Sequence, residues 1–284
     1  MQRKLVCLDI DGTLLGMDGV VPASAAQACR RARERGHILY LCSGRNAEEI
    51  ELIPELASIG FDGIISSGGA LVETGGKIVF EKVFPVKIAI KIYQYLDGLE
   101  CGVALERTRE ILSNRRNIAH WKSVMETFPV GSGMRAALSE LLDIQLRNVL
   151  PDSPERACYE GVNKIVFRGD APGLLAALRR DLGDECEIFD SSIPFFDGEG
   201  GEIGPKGVHK GSALRFVAGI HKIAIADTVA FGDSDNDRPM IEAAGVAVAM
   251  GNARDSLKAI ADMETTALDD DGIFNGFKKI GLID

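Results

Sequence analysis

Two aspartates one residue apart stand where the first apolar run of the chain gives out: Leu5-Val6-Cys7-Leu8 leads into Asp9-Ile10-Asp11-Gly12-Thr13. A short apolar run of this kind fits a strand buried on both faces of a parallel sheet. Ligands of open α/β sheets sit at the carboxyl ends of the strands, so these acids stand where chemistry is done. Side chains alternate along a strand, which puts Asp9 and Asp11 on one side while the extended backbone persists. Ser43-Gly44-Arg45 follows a second apolar run, Ile38–Cys42, and Asp233-Ser234-Asp235-Asn236-Asp237 follows a third, Asp227–Phe231. Singly, each has a bland reading as a turn or a helix cap. On neighbouring strands they would gather four or five carboxylates, which repel one another unless a cation lies among them. Mg²⁺ suits such a site, since it takes oxygen ligands and keeps waters that a phosphate can replace. The Ser43 hydroxyl and the nearby backbone N–H groups offer contacts to an anion. Lys210 opens a helix, where the dipole disfavours its charge, and the functional reason for it there would be to neutralise a phosphate. His209 reads as a surface residue, and His37, His120 and His221 show no ligand spacing.

The elements that must hold these groups alternate. Helical spacing over Ala25–Arg35, the strand 38–42, a helix over Ala47–Ala57 and a strand over Gly63–Ser66 give a βαβα order, hence a parallel sheet with right-handed crossovers. Gly75-Gly76 between two apolar runs predicts a hairpin. From Pro85 the rhythm changes. A helix over Val86–Leu99 precedes strands at 101–106, 109–113 and 162–167, a helix over Gly173–Asp181 and a strand over Glu187–Phe196, while 115–143 shows no clear pattern. After Gly207 the α/β order resumes. The fold class is therefore α/β, a Rossmann-like parallel sheet with helices on both faces and an inserted α+β domain. Residues 1–84 and 191–284 form the core, and 85–190 the insertion.

With 284 residues, 46% of them hydrophobic, the chain is long enough for two domains. A net charge of −10 argues against a nucleic-acid partner. The six cysteines (7, 29, 42, 101, 158 and 186) are scattered without framework spacing and read as small buried hydrophobes of a reducing compartment. No run approaches the roughly 18 apolar residues of a membrane span, and the N-terminal run is too short for a signal peptide. A cytoplasmic protein is expected, with no membrane partner, as a monomer or a homodimer.

Asp9-x-Asp11-Gly12-Thr13, Ser43-Gly44-Arg45, Lys210-Gly211 and Gly232-Asp233-x-x-Asn236-Asp237 resemble, in order, the four motifs of the haloacid dehalogenase superfamily. Nearly the whole chain is similar to the Cof-type phosphatase branch, in which an αβ cap lies between the second and third motifs. Met250-Gly251-Asn252-Ala253 and Asp271-Gly272 carry the likeness further. Ser43 replaces the usual threonine and keeps its hydroxyl, while Ser67-Gly68-Gly69-Ala70 stands where the branch has Asn-Gly-Ala. The resemblance implies that Asp9 attacks phosphorus and that Asp11 serves as acid and then base. It implies Mg²⁺ held by Asp9, Asp233 and the backbone carbonyl of Asp11, with Asp237 orienting ligands. Gly12, Ser43, Gly44 and Lys210 would hold the phosphoryl oxygens, and Asn236 would position Lys210 or the phosphate. The substrate would be a small phosphorylated metabolite, selected by the inserted cap through candidates such as Glu106, Arg107, Arg109 and Trp121.

Other readings compete. A phosphotransferase or mutase of this superfamily usually carries a small helical cap near the first motif, and about thirty residues between Thr13 and Ser43 are too few for one. A non-catalytic binding or regulatory relative would normally lack Asp9 or Asp11, and both are here. A receiver-like domain has no place for the insertion.

Overall fold

The structure is a computed structural model that describes residues 2–16, 19–191 and 199–284. In chain order its strands are β1 (Leu5–Leu8), β2 (Ile38–Cys42), β3 (Gly63–Ser66), β4 (Leu71–Thr74), β5 (Lys77–Glu81), β6 (Gly102–Arg107), β7 (Glu110–Ser113), β8 (Lys164–Gly169), β9 (Cys186–Asp190), β10 (Glu199–Pro205), β11 (Thr228–Gly232), β12 (Val246–Ala249) and β13 (Met263–Glu264). The chain divides into two compact units, one of Met1–Arg45, Ile50–Phe80 and His209–Asp284, the other of Asn46–Glu49 and Glu81–Val208.

The first unit holds one sheet in the order β13-β12-β11-β1-β2-β3-β4-β5. Pairing is parallel from β13 to β3, and β3 meets β4 antiparallel. β1 is central, with β2 on one side and β11, more than two hundred residues later, on the other. The strand order therefore reverses at β1, which is where open α/β sheets take their ligands. Leu5, Val6, Cys7 and Leu8 are all fully buried, as the continuous apolar run demands of a parallel strand covered by helices. The expected helix over 47–57 is two, Ala47–Glu51 and Pro54–Ile59. Pro54 has no N–H to give the preceding turn and instead begins the second helix.

The second unit holds an antiparallel sheet ordered β7-β6-β8-β10-β9. Helices Val86–Gly98 and Leu174–Leu182 bury Ile92, Leu96, Leu178 and Leu182 with Val103, Leu105, Phe167 and Ile203, a core separate from that of the first unit. The segment without clear pattern forms helices Arg115–Glu126 and Gly133–Arg147, capped by the Asn114 and Ser132 side chains, which accept from Asn117 N and Arg135 N. β9 ends at Asp190, and residues 192–196 of the expected strand 187–196 lie outside the described residues. β10 was not expected, because Glu199-Gly200-Gly201-Glu202 has no β-forming side chain before Ile203. Its pairing with both β8 and β9 carries this unit to Val208, beyond the boundary at 190 read from the pattern.

Candidate active site

Because β11, β1 and β2 run parallel and in register, Leu8 stands beside Phe231 and Leu41, and the next residues leave the sheet together. Asp9, Ser43 and Asp233 therefore emerge within one residue of the same level. Asp9 N donates to Phe231 O at 3.1 Å, so Asp9 is still tied to the sheet.

Lys210 Nζ lies 2.7 Å from Asp9 Oδ1 and 2.6 Å from Asp237 Oδ1, with Asn236 Oδ1 at 3.5 Å. The side chain is buried, and the two carboxylates keep it protonated, with its pKa well above the usual lysine value. An ammonium at the first helical position, poor against the dipole, is here compensated by ion pairs. The residue before it, His209, is the N-cap of that helix and not a plain surface group: its Nδ1 accepts from Ser212 N at 3.1 Å. The second oxygen of Asp237 accepts from Asp233 N and Ser234 N at 3.0 and 3.1 Å. With both oxygens engaged, Asp237 acts on the shape of its loop and on Lys210.

Asp9, Asp233 and Asp237 each bring a carboxylate oxygen within 4.8 Å of the others. Three carboxylates against one ammonium leave excess negative charge. Burial, followed by Asp237, pushes Asp233 up to about 7, against the pull of the Thr13 hydroxyl at 3.0 Å. Burial and the same crowd of carboxylates raise Asp9 well above the carboxylate range. Such crowding is relieved by a cation, and an all-oxygen donor set is what Mg²⁺ takes. The residues therefore fit the ion.

Asp11 stands apart from this trio. Its carboxylate is gripped by Arg45, Nε to Oδ2 at 2.8 Å and the terminal nitrogen to Oδ1 at 2.7 Å. Ser43 Oγ accepts from Arg45 N at 3.1 Å, which leaves its hydroxyl proton to give away. Asp235, the remaining acid of the second run, turns to Arg254 and Ser256 instead. Sequence reasoning did not single out Asn252, whose Nδ2 donates to Gly12 O at 2.8 Å while its Oδ1 accepts from Leu268 N. The run Met250–Ala253 was its only signal.

Gly12 has φ +83°, and a Cβ there would meet Asp233 Oδ2 at 2.4 Å. The Gly12→Ala variant should lose about 1–3 kcal/mol of stability through backbone strain. Its kcat/KM should fall about a hundredfold as Asp233 is displaced. Thermal unfolding beside steady-state kinetics checks both, and wild-type values in the two would refute this packing.

The model of the haloacid dehalogenase-like hydrolase family matches residues 6–277. The chain belongs to that family. Phosphatase YwpJ of Bacillus subtilis is 26% identical over 290 residues, covering 98% of this chain and 99% of that one. The HMP-PP phosphatase of Escherichia coli O6:H1 is 26% identical over 90% of this chain and 87% of its own length. Among solved structures, a haloacid dehalogenase-like hydrolase from B. subtilis aligns with a TM-score of 0.83 at 24% identity, over 97% of this chain and 99% of that one. The subclass IIB sugar phosphatase BT4131 aligns at 0.81 with 23% identity, over 99% and 100%. This chain is thus a haloacid dehalogenase-type phosphatase of the Cof type.

Proposed function

We propose that the protein is a Mg²⁺-dependent phosphomonoesterase that acts on small phosphorylated metabolites through a phosphoryl group carried on Asp9. The observation that supports this most is Lys210, fixed between Asp9 and Asp237 at the carboxyl end of the central strand with Asp233 alongside. Asp9 attacks phosphorus in line, and the bond from phosphorus to the leaving oxygen breaks. Asp11 gives that oxygen a proton. A water then attacks the phosphorylated Asp9, Asp11 takes the proton of the water, and inorganic phosphate leaves with Asp9 restored. Lys210, the Ser43 hydroxyl and the N–H groups near Gly12 and Gly44 hold the phosphoryl oxygens, and Asn236 steadies Lys210. Asp9, Asp233 and the Asp11 carbonyl would hold Mg²⁺, with Asp237 orienting them, and the bound ion supplies positive charge to the phosphoryl oxygens. Positioning and neutralisation of charge make up most of what phosphoryl transfer needs.

The inserted unit selects the leaving group. Of its sequence candidates, Glu106 is buried beside Lys164 at 3.1 Å and has its pKa raised to about 8 by burial. Arg107 pairs with Glu110, and Trp121 lies under the Arg168 guanidinium. Two of the relatives are named for HMP-PP and two B. subtilis proteins for 5-amino-6-(5-phospho-D-ribitylamino)uracil, so phosphorylated cofactor precursors and sugar phosphates are the substrates to try. No described helix is long and apolar enough to cross a membrane, and none of the six cysteines is in a disulfide; a cytoplasmic setting accords with both.

The test is a panel of phosphorylated metabolites assayed with Mg²⁺ and again with excess chelator. Hydrolysis of at least one member is expected, with activity lost on chelation and restored by added Mg²⁺. Turnover that survives chelation would remove the metal from the proposal. Failure on every member would favour a binding or regulatory protein.

A further inference from the structure

The two ends of the eight-stranded sheet differ. β13 is two residues long, too short to template another strand, whereas β5 spans five and has β4 as its one neighbour among the described residues. A long open edge presents a row of unpaired N–H and C=O groups, and proteins usually blunt it with proline, a bulge or an inward charge. Lys77-Ile78-Val79-Phe80-Glu81 has no proline and no inward charge, and Ile78 is 48% and Val79 42% exposed. On the Lys210–His221 helix, Phe216 is 37% and Ile220 40% exposed, and the Phe216 ring lies 5.0 Å from that of Phe80. Ile78, Phe80 and the helix residues thus make an apolar patch on one face of the edge strand, and Val79 stands between Lys77 and Glu81 on the other.

We propose that two copies of this chain pair antiparallel through β5, about a two-fold axis at Val79. The strand is complementary to itself in that register. Lys77 faces Glu81 of the second copy, Glu81 faces its Lys77, and the two Val79 side chains meet between them. On the other face Ile78 of each copy packs on Phe80 of the other, beside Phe216 and Ile220. Opposite charges across paired strands attract and like charges repel, so the end residues set register as well as affinity. Glu81 also accepts from Thr108 Oγ1 through Oε1, which keeps Oε2 for the second copy. A C2 contact of this kind is isologous, one patch used twice. A five-residue ladder alone falls short of the roughly 1,200–2,000 Å² of a stable interface, and the helix residues enlarge it.

Sedimentation or light scattering across a dilution series tests the pairing. The wild-type chain should be dimeric at tens of micromolar. Lys77→Glu places two like-charged pairs in the interface and should raise the dimer Kd at least about tenfold. Lys77→Glu with Glu81→Lys reverses both pairs and should restore the wild-type Kd, while Val79→Asp should give monomer. All variants should hydrolyse nitrophenyl phosphate at the wild-type rate, since none touches the phosphoryl site. A wild-type chain that stays monomeric, a dimer insensitive to these changes, or a double exchange that fails to restore it would each overturn the proposal.

Discussion

The Asp9→Asn variant is expected to lose about four orders of magnitude or more in kcat, because the group that carries the phosphoryl and a charge that would hold the metal vanish together. Stability should move the other way or not at all. Asp9 is one of three clustered carboxylates beside one ammonium, two of them buried, and Lys210 keeps Asp237 at 2.6 Å after the change. Removing one negative charge from this crowd relieves repulsion that pushes the Asp9 pKa upward. Active sites commonly hold such stored cost. Thermal melts and turnover on the best substrate of the panel, measured on the same preparation, check the pair of outcomes. Wild-type turnover in the variant would rule out a phosphoryl group carried on Asp9.

Asp11→Asn should divide the two half-reactions. An alkyl phosphate, whose leaving oxygen needs a proton, should turn over about 10²–10⁴-fold more slowly. Nitrophenolate leaves without that help, so nitrophenyl phosphate should still load Asp9 and release one equivalent of nitrophenol in a burst. The loaded enzyme then persists, since no group remains to take the proton of the attacking water. Mass spectrometry of the quenched reaction should find the added phosphoryl on the peptide containing Asp9. The fold should be unaffected, because the Asp11–Arg45 pair is half exposed and such pairs contribute little. Sustained release of nitrophenol by the variant with no phosphorylated peptide would show that Asp11 is not the base.

The catalytic end of the first unit was legible because it is written in local runs. β2 and β3 occupy the positions their apolar runs predict, and the three polar strand ends meet because their strands are neighbours. What was not legible depends on partners distant in sequence. Nothing near Asp11 announces that Arg45 grips it, and nothing near Gly12 announces Asn252, 240 positions away. Lys210 was read as a charge set at a helix start to neutralise a phosphate, and only the fold shows the carboxylates that make its burial tolerable. In the inserted unit β10 escaped because its glycines and glutamates form a strand only through pairing on both sides. The helices of 115–143 had signals in Asn114 and Ser132, caps that their polar surroundings hid.

The placement of β1 between β2 and β11 also bears on how the protein is made at the ribosome. Asp9 emerges early and Asp233 late, and β11 is synthesised only after the whole of the second unit. That unit, nearly continuous in sequence and with a core of its own, is complete in the nascent chain before β11 is made. Closing β1 against β11 spans more than two hundred residues, the slow kind of contact. Until then the nascent chain carries Asp9 without the lysine and acids that lie beside it in the folded protein, and on the proposed mechanism an unfinished chain cannot hydrolyse a phosphate ester.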